Sequence, residues 1–156
     1  MVKAARDRYD GVPRPPIPRN PWNEIECGGH YARALSSWSL LLALTGWRYD
    51  GPRQALRLQP RYTPANCKAF WSGPEGWGTL SQRRTGQDQL NEIHVAAGTL
   101  RLRELTVAVP TVPNAPRVRA AGRAVAASLS VKDAEARLVF GQPVCLRAAE
   151  SLSVNL

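Results

Sequence analysis

The chain is poor in the residues that build metal centres and disulfide frameworks. It has three cysteines and two histidines in 156 residues, and Cys27, Cys67 and Cys145 are widely spaced with no CxxC pair. A structural zinc site draws about four ligands, typically in close pairs. His30 and His94 lie in unrelated segments, so neither a metal nor any other cofactor is expected. The cysteines are expected as buried, reduced thiols. Long apolar runs are scarce too. The longest, Leu40 to Leu44, falls far short of the roughly 20 residues a membrane helix needs, so no transmembrane segment is expected. No apolar signal core follows the charges of the first eight residues; if Met1 is the true start, the expected location is cytoplasmic.

Lysine is almost missing. Only Lys3, Lys68 and Lys132 occur, so arginine carries most of the +9 charge and the pI near 10.3. Abundant alanine accompanies it, a bias that a GC-rich genome produces by codon usage alone. The arginines are scattered and form no basic helix, zinc finger or aromatic RNA-binding motif. A basic nucleic-acid-binding protein is therefore kept only as an alternative, and no nucleic-acid partner is expected.

What is present falls into three stretches. Five prolines between Gly11 and Pro21 forbid helix and predict an extended lead-in. A helix is predicted from about Gly28 to Leu44, stopped by Gly46. His30, Arg33 and Ser37 would form one polar stripe on its first half. Its second half is apolar all round, which predicts burial against partners that this chain does not supply. Tyr49 to Pro52 predicts a turn and Leu56 to Leu58 a strand. Thr63 to Phe70 predicts a short helix with Thr63 as N-cap and Pro64 next. From Trp71 to Gln82 a Gly- and Trp-rich strand or loop is expected, with Trp22, Trp71 and Trp77 favoured as core. From Leu90 the apolar period becomes two, broken by Gly98, Pro110, Pro113, Pro116, Gly122, Gly141 and Pro143, and predicts short antiparallel strands.

The run Asn20-Pro21-Trp22-Asn23-Glu24-Ile25-Glu26-Cys27-Gly28-Gly29-His30-Tyr31-Ala32-Arg33-Ala34 closely resembles a motif near the end of the catalytic domain in glycoside hydrolase family 116. That family comprises β-glucosidases and non-lysosomal glucosylceramidase-like enzymes. The likeness continues through Ser37 to Leu44, Tyr49 to Pro52, Phe70 to Ser72 and Gly76 to Thr79.

The resemblance implies a mixed α+β fragment, with the last helix of an (α/α)6 barrel followed by a small antiparallel β-rich tail. Residues 1–80 would hold the end of the catalytic domain and residues 81–156 a strand tail packed on it. It also implies retaining hydrolysis of β-glucosides, with a glucosyl unit held by Glu24 and Arg33. The family's nucleophile and acid/base have no counterpart here, so no catalytic residue is assigned and the isolated chain is expected to be inactive. Its partners would be the β-glucoside and the missing N-terminal part of the same enzyme. Gly29 departs from the acidic or amide residue common at that place.

The residue chemistry agrees with the resemblance. A carboxylate only accepts and a guanidinium only donates, so Glu24 and Arg33 can fix a hydroxyl pair from both sides. His30 could assist them. An ion pair between Glu24 and Arg33 is the structural alternative. Glu24 and Glu26 share a face of an extended segment near the roughly 5 to 5.5 Å of a retaining pair, but adjacent residues of one strand approach from one side only. Glu26 is instead expected to cap the predicted helix. A non-catalytic carbohydrate-binding or remnant protein is the other alternative. Against carbohydrate binding by the tail stands its aromatic poverty, since Phe140 is the only aromatic beyond Leu90.

Overall fold

The computed structural model describes residues 23–24, 31–32, 38–113 and 115–156. The chain divides into two compact units, residues 1–41 and 42–156. In the first, β1 (Asn23–Glu24) pairs antiparallel with β2 (Tyr31–Ala32). Helix α1 (Trp38–Thr45) follows. The predicted helix from Gly28 is thus corrected, because Tyr31 and Ala32 are strand. The stripe of His30, Arg33 and Ser37 lies outside the described residues, as does the predicted cap at Glu26.

The second unit overturns the expected fold class. It is neither an (α/α)6 barrel end nor a small tail but a large, mostly β structure that begins soon after α1. Ten strands build it: β3 (Arg48–Asp50), β4 (Ala55–Leu58), β5 (Asn66–Ser72), β6 (Gly76–Thr85), β7 (Asp88–Ala108), β8 (Arg117–Ala120), β9 (Arg123–Ala124), β10 (Ala127–Lys132), β11 (Glu135–Arg147) and β12 (Ser151–Asn155). The predicted helix at Thr63 to Phe70 is replaced by β5. There Cys67 and Trp71 point inward and their neighbours outward, while Thr63 starts a turn at φ +45°.

Strand β7 organises everything else. Its first half pairs with β6 on one side and β12 on the other. Its second half pairs with β11 and, in parallel, with β4. Laid straight, the 19 steps from Gln89 to Ala108 would span about 63 Å at about 3.3 Å each. Yet the Gln89 side-chain amide donates to the Ala108 carbonyl at 3.0 Å. The strand must therefore fold back, stacking its two halves as opposite layers. Gly98, at φ +77°, lies at this passage, where a Cβ would sit 2.1 Å from the Glu75 carbonyl oxygen. The sequence places a break there; the chain uses the glycine to bend one continuous strand.

The inward side chains of both layers meet in one core, including Leu56, Trp71, Ile93, Leu102, Leu138 and Leu152. Trp47 stacks on Trp71 with ring centroids 4.9 Å apart. A second bend lies in β11, where the register jumps between Val139 and Val144. Pro143 falls in that irregular stretch, where its missing amide costs no ladder bond.

Arginine placement follows from strand periodicity. In Leu100-Arg101-Leu102-Arg103 the leucines are buried and the arginines exposed, and Arg137 and Arg147 also face outward. Among the described residues, these strand arginines lie on the outer faces of the layers. Cys145 is exposed on such a face, correcting the expectation that all three thiols are buried, whereas Cys67 is buried. Burial pushes the Cys67 thiol up from its ordinary range.

Candidate functional site

Of the residues expected to hold sugar, Glu24 sits in β1 directly opposite Tyr31 of β2. His30 and Arg33 lie outside the described residues, as does Trp22. In sequence they flank β2, immediately before and after Tyr31 and Ala32. Of the motif, the structure describes Asn23, Glu24, Tyr31 and Ala32, which form the antiparallel pair.

A second constellation lies on the outer face of the layer formed by β5, β6, β7 and β12. Registers place Phe70, Thr79, His94 and Ser151 in one cross-strand row. The next row is Lys68, Ser81, Glu92 and Ser153. The two rows cross four strands, about 14 Å at the usual spacing. An open groove of about 440 Å³ runs over six of these eight residues, leaving out Phe70 and Ser153.

Its side chains are tied together. His94 Nδ1 lies 3.1 Å from Ser151 Oγ. Ser81 donates to Glu92 at 3.4 Å, and Arg83 approaches the same carboxylate at 3.9 Å. Beneath the groove, the Trp71 indole N–H donates to the His94 carbonyl at 3.1 Å, anchoring the groove floor to the core.

Two aromatics stand on the strands next to Thr79 of this groove, Phe70 as its register partner and Trp77 two residues before it in β6. Phe70 and Trp77 are 37% and 50% exposed, with ring centroids 6.0 Å apart and planes inclined by 36°. The expectation that Trp77 is core is corrected, while Trp71 is core as expected. A register shift between Trp77 and Gly78 turns the strand beside this indole. Gly78 permits it, since a Cβ there would sit 1.9 Å from the His94 carbonyl oxygen. Aromatics lacking beyond Leu90 are supplied to the same layer by the preceding hairpin. Strand pairing, invisible in the linear order, brings them alongside.

No family model and no curated protein matches the chain. Among solved structures, the chain is similar to an α-L-rhamnosidase from Dictyoglumus thermophilum at 14% identity and a TM-score of 0.44. The match covers 81% of this chain and 14% of that enzyme, so the chain spans a small part of its length.

Elsewhere, polar groups serve the fold. Gln82, Gln89 and Asn91 are buried together. Gln82 donates to the Pro64 carbonyl at 2.7 Å, and Gln89 accepts from Arg84 at 2.7 Å. Among the described residues, no group of histidine, cysteine and carboxylate side chains could hold a metal ion. No helix among them is long and apolar enough to cross a membrane.

Proposed function

We propose that this chain is the C-terminal part of a retaining glycoside hydrolase similar to family 116, acting on β-glucosides. Glu24, Arg33 and His30 hold hydroxyls of the glucosyl unit. The nucleophile and acid/base belong to a preceding segment. The run from Asn20 to Ala34 carries this reading: its length and residue order resemble the family's sugar-holding motif.

Two further features support it. Glu24 lies in a strand whose register partner is Tyr31, the residue that follows His30 in sequence. Helix α1 leaves Leu40, Leu42 and Leu44 exposed, as expected of a segment that packs against another part of the enzyme.

The chemistry divides accordingly. A carboxylate and a guanidinium orient the ring but cannot replace the covalent step or protonate the leaving group. The chain alone should leave aryl β-glucosides intact. The test begins with the DNA upstream of the Met1 codon, where an open frame encoding a catalytic pair is expected. In the joined protein, Glu24→Gln and Arg33→Lys should each lower kcat/KM by about tenfold or more, as lost charge-assisted hydrogen bonds do. A stop codon followed by unrelated sequence, or unchanged kinetics in both variants, would sink the assignment.

A further inference from the structure

An exposed tryptophan on a strand is an unusual surface element, because it leaves a large apolar area in water. Trp77 is not alone: Phe70 stands beside it at 6.0 Å. Two aromatics at this distance present a broad apolar platform, whose rings can take the C–H face of a flat ligand. The register sets Phe70 opposite Thr79 and Thr79 opposite His94, and Thr79 and His94 line the groove together with hydroxyl, carboxylate and cationic side chains.

The composition of those rows selects the ligand class. A phosphate or polyanion site would gather donors of one sign. Here the Glu92 carboxylate sits among Ser81, Arg83 and Lys68, where it would repel an anion. Thr79, Ser81 and Ser151 both donate and accept, and Glu92 accepts only. A ligand with an apolar face and a rim of hydroxyls satisfies both halves of the surface. Sugars have that character.

We propose that the outer face of the β5–β6–β7–β12 layer binds a neutral hexose-based glycan. Phe70 and Trp77 stack on a pyranose ring, and Thr79, Glu92 and His94 meet its hydroxyls along the groove. The span of about 14 Å accommodates a short oligosaccharide rather than a single ring. The core-anchored floor under His94 gives the surface the rigidity that recognition needs. This site is separate from the Glu24 motif and rests on the sheet geometry alone, so it stands whether or not the chain belongs to a glycosidase.

The experiment is a binding titration of the full chain with neutral α- and β-linked oligosaccharides, beginning with cellopentaose, at low and high salt. Binding to at least one is expected to survive high salt, since no ion pair with the ligand is involved. Trp77→Ala and Phe70→Ala should each weaken it about tenfold, and Trp77→Phe should recover most of the loss. Thr79→Val, which keeps the shape and removes a hydroxyl, should weaken it several-fold. Leu42→Ser on α1 should change nothing. Circular dichroism checks that each variant is folded. Failure of the folded chain to bind any neutral glycan overturns the proposal. So does binding that disappears at high salt, or binding unaltered by the loss of both aromatics.

Discussion

Helix α1 and the two β layers treat apolar side chains in opposite ways. Leu56, Leu102, Leu138 and Leu146 in the layers are at most 2% exposed. In α1, Trp38, Leu42 and Leu44 are about half exposed, and only Thr45 is buried. Both regions are rich in leucine, so composition does not separate them. The period does. Alternation gives each strand one face for the core and one for water. The apolar run of α1 covers its whole circumference and has no single face to bury. The layers gather their inward apolar side chains around one core, whereas Leu40, Leu42 and Leu44 of the helix are exposed.

The comparison breaks most readily at Trp71. Its ring stacks on Trp47 and its indole N–H satisfies the His94 carbonyl. Trp71→Ala should destabilise the β layers by about 3–5 kcal/mol through lost burial and the cavity left behind. A shift of the urea midpoint with little change in slope would measure it. A midpoint close to wild type would mean that the layers are not held by one shared core.

Acid sharpens the contrast by a smaller amount. Glu104 on β7 accepts a hydrogen bond from Arg137 on β11 at 2.6 Å. That bond holds its carboxyl below the usual range, against an opposing contribution from burial. A depressed folded-state pKa contributes stability above the unfolded carboxylate's pKa, lost as pH falls through the folded value. Glu104→Gln should therefore reduce stability near neutral pH and flatten its decline in acid. Thermal melts across the acid range would read this, the exposure of Arg137 keeping the effect modest. Helix α1 contains no titratable side chain, so equal acid sensitivity in the variant would assign the decline to other groups of the layers.

How far the sequence foretold these regions follows from the same period. Ala136 to Phe140 and Leu152 to Leu156 alternate cleanly and are strands, apart from Leu156. Gly98 and Gly141-Gln142-Pro143 suggest breaks, yet β7 and β11 run through them by bending. Local composition does not distinguish a bend from an end. The hairpin joining β10 to β11 falls between the alternating runs Val125 to Val131 and Ala136 to Phe140. Its turn residues Asp133 and Ala134 both have positive φ; aspartate is usual at the first of these places, whereas alanine stands where glycine would normally announce the turn. Within the candidate groove, Thr79, His94 and Ser151 are far apart in sequence and meet only through the pairing of β6, β7 and β12. No motif could have grouped them. Glu24 and Arg33 could be proposed from sequence for the opposite reason: they stand in one continuous run whose likeness does not depend on folding.

The smallest stability effect is expected at Leu42, and it is the most informative about α1. With the side chain half exposed, Leu42→Ser removes little buried area and should move the melting midpoint by an amount equivalent to about 0.5 kcal/mol or less. It should, however, reduce association of the chain, because it removes an exposed apolar side chain from the helix face opposite Leu40 and Leu44. Sedimentation or light scattering at matched concentration would detect a shift toward monomer. If the helix surface is instead covered when the chain is joined to a preceding enzyme segment, the same substitution should destabilise that longer protein by about 2–5 kcal/mol, the cost of truncating a buried leucine. A small effect in the short chain and a large one in the long chain would locate the helix's apolar partners outside the β layers. Equal small effects in both would mean that α1 remains a solvent-facing helix and that its leucines contribute to association alone.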